Sequence, residues 1–172
     1  DVSYSDWYYN CVTQLAALGI VQGYTDETFR PDNSITRGAF AGIMNRFMRY
    51  RQRADTSVFS DIRGNFWEDE ILRLNAAGVY LGNDGKALAM ESITRQQAIV
   101  MIARAFDVTS DSGITYFDDE EDLASYARAP VSAMIEYGYL RNVIGDDLLP
   151  TEPIKRWEIV QIFDNLVERL VQ

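Results

Sequence analysis

The sequence predicts an all-α fold built from three helix-loop-helix repeats, and three observations carry that prediction. Landmark residues recur in one order at a period near 60; each copy holds two stretches with the three- and four-residue apolar steps of a helix; and glycines and prolines punctuate those stretches. The chain has 172 residues, 47% of them hydrophobic, enough to bury a core without disulfides or metal.

Each unit opens on an aspartate, Asp1, Asp61 or Asp119, followed by an aromatic, Trp7, Trp67 or Tyr126. A first helix follows. Counting back seven and four residues from Gly19, Gly78 and Gly138 finds Val12 and Leu15, Ile71 and Leu74, and Val131 and Met134, one helical face in each copy. The glycine then ends the helix from a left-handed conformation. Pro130 is expected near the start of its helix, where a missing N–H is harmless.

Polar loops come next, Gly23 to Pro31 in the first unit, Gly82 to Gly85 in the second, and Gly145 to Asp147 with Leu148 and Pro150 in the third. The second helix starts at the arginine of Ile35-Thr36-Arg37, Ile93-Thr94-Arg95 and Ile154-Lys155-Arg156, spaced 58 and 61 residues apart. Its buried stripe is Phe40, Ile43, Met44 and Phe47, then Ala98, Met101, Ile102 and Ala105, then Ile159, Ile162, Phe163 and Leu166. Thr36 and Thr94 are natural N-caps, and Gln97 completes a capping box with Thr94. The first unit has Ala39 at that third position and so lacks the return bond; the third has Glu158 but Lys155 at the cap. The units are assigned as 1–53, 58–108 and 116–172, together one compact domain, joined by an Arg-rich stretch ending at Arg53 and by the polar run Thr109 to Gly113. Arg46, Arg49, Arg51 and Arg53 read as helix-end solvation before a binding patch.

Composition removes most chemistry. With no histidine and only Cys11, the chain has no Ser-His-Asp triad, Cys-His dyad or zinc cluster, and Cys11 reads as a buried structural thiol. The acidic run Asp118 to Asp122 lacks the alternating spacing of a calcium loop. No cofactor or metal is expected. A net charge of −10 argues against nucleic acid and against electrostatic binding to membranes, and no apolar run is long enough to insert in one. The N-terminus, DVSYSDWYY, has no charged region followed by an apolar one, so any export signal is expected to have been removed. Of the 16 basic residues all but Lys86 and Lys155 are arginine, the side chain suited to fork-like carboxylate recognition, although Arg equally completes surface ion pairs.

These landmarks resemble the S-layer homology family, whose repeats run F-x-D, an aromatic, a helix ending in glycine, then G-Y-x-D-G-T-F-x-P and I-T-R-A-E. The resemblance spans the chain and is fullest in the first unit, with Gly23-Tyr24-Thr25-Asp26, Thr28-Phe29-Arg30-Pro31 and Ile35-Thr36-Arg37. It implies a pseudo-threefold arrangement around a central three-helix bundle, with grooves between lobes. It also implies a bacterial cell-surface protein that binds an anionic secondary cell-wall polysaccharide bearing a pyruvyl ketal. The chain starts inside the first motif, so it is expected to be a fragment of a larger exported protein. Carried over residue by residue, the ligand contacts are Arg37, Arg95 and Arg156; Asp1, Asp61 and Asp119; Trp7, Trp67 and Tyr126; and Gly23 and Gly82.

A guanidinium at a helix start suits a planar carboxylate, an aromatic packs on a sugar face, and glycine admits a close backbone donor. The alternative for the arginines is a structural bridge to the aspartates. Departures from the pattern are Ala39 and Gln97 at the glutamate position, an altered loop in the second unit, and Tyr126 and Lys155 in the third. The sequence leaves two other functions open. A protein-binding module would use Tyr8, Tyr9, Tyr24, Tyr50 and Tyr80, and a two-carboxylate glycosidase has no distinguishable acid pair.

Overall fold

The computed structural model describes residues 1–110 and 117–170. The junction run ending at Gly113 and the start of the third unit at residue 116 lie partly outside them. Six α-helices follow in order: α1 Tyr9–Ala17, α2 Arg37–Met48, α3 Glu68–Ala76, α4 Arg95–Ala105, α5 Ser125–Glu136 and α6 Arg156–Leu170. Short 3-10 turns at Thr56–Val58 and Glu120–Asp122 precede α3 and α5. The fold is all-α, and extended backbone occurs among the described residues only as isolated bridges.

Local chemistry sets the helix ends. Gly19, Gly78 and Gly138 follow α1, α3 and α5 with φ of 69°, 74° and 72°, the left-handed stop expected of them. Thr36 accepts from the Ala39 N–H, and Thr94 forms the full capping box with Gln97. In the third unit Glu158 accepts from the Lys155 N–H at 2.6 Å, preserving the half of the box that the lysine leaves possible. Pro130 departs from expectation. It is the sixth residue of α5, because that helix begins three residues earlier relative to its glycine than α1 and α3 do. The Tyr126 carbonyl therefore loses its intrahelical donor.

Packing is between units more than within them. The second helix of one unit lies against the first helix of the next, α2 on α3, α4 on α5 and α6 back on α1. Phe47 of α2 stacks on Phe163 of α6 with centroids 4.7 Å apart, and α2 also meets α4. The buried stripes of α2, α4 and α6 supply much of the core, with Phe40, Met44, Ile102 and Phe163 fully enclosed.

The helix starts close the circuit. The first two amides of a helix have no intrahelical partner, and here the loop carbonyls of the following unit take them. Arg37 and Gly38 donate to Glu91 and Ala89, each at 2.8 Å; Arg95 and Gln96 donate to Glu152 and Pro150; Arg156 and Trp157 donate to Asn33 and Pro31. Bridges pair Thr36 with Ser92, Thr94 with Pro153 and Lys155 with Ser34 in the same order. The third unit thus returns to the first.

Candidate functional site

The three aspartates act on loop backbone. Asp1 accepts from the amides of Phe29 and Arg30 at 2.7 and 2.6 Å, Asp61 from Ala87 and Leu88 at 2.7 and 2.9 Å, and Asp119 from Leu148 and Leu149 at 2.9 and 2.6 Å. Successive amides converge on one anion only when the backbone curls, and the second residue of each pair is left-handed, with φ of 54°, 56° and 50°. At Asp61 burial pushes the carboxyl upward, but the two amide bonds and nearby Lys86 outweigh it and hold the group below its ordinary range.

The arginines read the other side of the same peptides. Arg37 Nε donates to the Ala87 carbonyl at 3.1 Å, Arg95 Nη1 to Leu148 at 2.9 Å, and Arg156 Nε to Phe29 at 2.7 Å. Each aspartate holds a loop peptide by its N–H, and the arginine of the preceding unit, or of the third in the case of the first, takes its carbonyl. No arginine of the three bonds one of these aspartates, so the direct bridge is replaced by one relayed through a peptide. The free positive helix start is also replaced, since neighbouring carbonyls already take those amides.

All three arginines are largely buried, Arg37 and Arg95 at 7% and Arg156 at 9% residue exposure. Their remaining partners differ. Arg37 Nε also donates to Tyr80 Oη at 3.1 Å and Nη1 to Gln97 Oε1 at 3.2 Å, while no described residue accepts from Nη2. Burial pushes the Tyr80 phenol up, so it remains a protonated donor to the Ala87 carbonyl at 2.6 Å. Arg95 Nη2 is ion-paired to Glu158, itself 1% exposed, and Arg95 Nε is buried without a partner. Arg156 Nη2 donates to Gln22 at 2.8 Å and its guanidinium lies over the Tyr24 and Phe29 rings at 5.0 and 4.4 Å. Burial pulls its ionisation below the usual guanidinium range, Tyr24 opposes this, and Arg46 and Arg30 reinforce it; it stays charged at neutral pH.

Arg37, Gly82 and Tyr126, one residue from each unit, line a single cavity of about 520 Å³. Its polar wall also includes Asn83, Glu91, Ser92, Thr94, Gln97 and Arg104. Gly82 has φ of 71°, and a Cβ there would lie 2.4 Å from the Phe59 ring and 2.5 Å from the Lys86 carbonyl, so only glycine fits. Tyr126, about half exposed, forms part of its rim. Asp1 and Gly23 border a different hollow of about 440 Å³ between α1 and the first loop. Trp67 is packed against α2, where a Cβ on Gly38 or Gly42 would come within 2.2 or 2.6 Å of its ring. Trp7 meets Trp157 edge-on at 4.9 Å.

Other expectations are sorted by burial. Tyr80 is fully buried, which removes it from any protein-binding surface, and Tyr8, Tyr9 and Tyr50 are half-buried, leaving Tyr24 as the exposed member of that set. Cys11 is buried on Asp164 and Gln161, and burial followed by the Asp164 bond raises its thiol to about 12. Arg46 ties α2 to the Ile20 carbonyl, and Arg53 pairs with Glu68 and Asp69 of α3, so these two bind elements together. Gln97, Glu158 and Arg104 were not among the candidate contacts. The first two carried a signal, the changing residue at the third position of the second helix; Arg104 carried none.

Residues 1–41 match the family model of the S-layer homology domain. Over 170 residues the chain is 25% identical to an amylopullulanase of Thermoanaerobacterium thermosulfurigenes, covering 95% of this chain and 9% of that protein. It is 24% identical to exoglucanase XynX of Acetivibrio thermocellus over the same share of this chain and 16% of that protein. A cellulosome-anchoring protein of Acetivibrio thermocellus is 30% identical over 113 residues, 62% of this chain and 25% of that protein. The chain therefore spans a quarter or less of the length of these relatives.

Proposed function

We propose that the chain, whose residues 1–41 match the S-layer homology domain, anchors a polypeptide to the bacterial cell wall by binding an anionic, pyruvylated secondary wall polysaccharide. The observation that supports this most is the cavity at Arg37. Arg37 lines it with Gly82 and Tyr126, and no described residue accepts from its Nη2. A ketal carboxylate accepts from such a nitrogen in a charge-assisted bond, and the ring covers the apolar face of the sugar. Arg104 on the same wall adds a second positive charge against the one carboxylate of Glu91, so the cavity favours an anion inside a chain of net charge −10. The role is binding without catalysis, and in a longer polypeptide the segment tethers whatever activity adjoins it.

The test is co-sedimentation with isolated cell walls before and after chemical removal of the secondary polymer. The chain is expected to pellet with intact walls and stay in solution with stripped ones, and Arg37→Lys, which keeps the charge but loses the fork, weakens pelleting with circular dichroism unchanged. Equal pelleting with both wall preparations, or by Arg37→Lys and the parent chain, refutes the assignment.

A further inference from the structure

Two arginines just past α2 are left over by the contacts described so far. Arg46 and Arg53 bind elements of the fold together, but Arg49 and Arg51 are exposed and join no ion pair among the described residues. The segment that carries them crosses α3. The Ala54 N–H donates to the Leu72 carbonyl at 3.0 Å, and Arg73 Nη1 donates to the Tyr50 carbonyl at 3.3 Å. A hollow of about 180 Å³ lies at this crossing, lined by Tyr50, Arg51, Gln52, Arg73, Ala76 and Ala77. That is room for roughly six waters at about 30 Å³ each.

The two guanidinium groups of the hollow are poorly compensated. Arg51 has no carboxylate partner among the described residues, and Arg73 reaches Asp69 only at 3.6 Å, while Arg53 holds the same carboxylate at 2.6 Å. Arg73 Nε is buried without an acceptor. The carbonyl end of α3, which by itself would repel an anion, is partly answered, because the Arg73 and Asn75 carbonyls accept from the Ala77 and Gly78 amides. The wider field also favours an anion here. The first unit has six arginines against five acids, whereas the third has five basic residues against twelve acids.

We propose that this hollow is a second anion site, which takes the phosphate group of a polyol phosphate ester. Arg37 starts α2 and the hollow lies past its end, about 18 Å further along the axis at about 1.5 Å per residue. None of its residues lines the cavity at Arg37, so this site stands or falls independently of the glycan reading. One guanidinium fork is enough to saturate a planar carboxylate. Here two guanidinium groups come from different elements, which suits a phosphate, whose oxygens point in several directions and accept from both. Tyr50 and the two alanines line the rest of the hollow with apolar surface for the carbon body of the ester.

The experiment is a two-dimensional 1H–15N magnetic-resonance titration of the full chain with glycerol 1-phosphate, with acetate and glycerol as controls at matched ionic strength. The phosphate ester is expected to give saturable shifts at the Arg73 Nε–Hε and at the amides of Gln52, Ala76 and Ala77, and the controls none. Arg51→Gln removes an exposed side chain without an ion-pair partner, so the fold should be unchanged, and affinity should fall at least about tenfold, the scale of one charge-assisted bond. Arg63→Gln removes the same charge from an exposed arginine outside the hollow and should leave affinity within about twofold. Equal weakening by the two variants, equal binding of acetate, no shift at Arg73, or shifts confined to Arg37, Gly82 and Arg104 would each overturn the assignment.

Discussion

Glu158→Ala should be the most damaging single truncation at the unit junctions. The carboxylate is 1% exposed, pairs with Arg95 and accepts from the Lys155 amide at 2.6 Å. Removing it leaves a guanidinium at 7% exposure with two carbonyl bonds and no charge partner, its Nε already unsatisfied. Breaking one side of a buried pair costs about 3–5 kcal/mol, and the lost helix-start acceptor adds about 1 kcal/mol. A domain of this size melts about 2–4 °C lower per kcal/mol, so Tm should fall by roughly 8–24 °C. Urea unfolding followed by far-ultraviolet circular dichroism checks this, with a lower midpoint and an unchanged slope. Gln97→Ala removes a neutral acceptor of Arg37 Nη1 and of the Thr94 amide from the corresponding place and should cost only about 2 kcal/mol. A Glu158→Ala loss no larger than that of Gln97→Ala would refute the reasoning. So would a double variant, Arg95→Met with Glu158→Leu, that recovers none of the loss, because with both charges gone no buried ion remains.

Three further outcomes follow from the same geometry. Asp61→Asn should cost about 1 kcal/mol at neutral pH, reduced from a buried value because the residue is exposed; since the folded carboxyl lies below its ordinary value, the parent keeps this stability above about pH 4 and loses it as pH falls through the folded value, so acid titration of the variant should show a shallower limb. Gly42→Ala puts a methyl group 2.6 Å from the Trp67 ring, and displacing the ring should cost about 1–2 kcal/mol net of the better helix propensity, with red-shifted tryptophan emission. Cys11, its thiol raised to about 12, should react with iodoacetamide at pH 8 only as the chain unfolds, so alkylation and loss of circular dichroism should coincide across a urea series.

Much of the fold is legible because helices are local. Thr36, Thr94 and the three terminal glycines act within four residues of themselves, and they stand where the sequence places the caps and stops. Pro130 lies deeper in α5 than the sequence predicts, because the extra N-terminal turn has no marker as strong as a Thr cap; its N-cap residue is Ala124, which makes no side-chain cap. At the candidate site the residue types were legible and the partners were not. The aspartates and arginines carry complementary charge and recur together, which suggests a direct pair, yet the loops interpose a peptide whose two faces bind one each.

By itself the sequence determined six helices, the threonine caps of α2 and α4, the buried stripes and the recurrence of an arginine at each second helix, since all of these depend on spacings of a few residues along one backbone. Only the tertiary structure decided what each arginine meets. Arg156 reaches the carbonyls of Phe29 and Gln22 across separations of 127 and 134 residues, and Arg95 reaches Glu158 across 63. Contacts that distant depend on which units pack together and on which loop peptide turns its carbonyl inward. The same packing gives one guanidinium a carboxylate partner and the other two neutral acceptors.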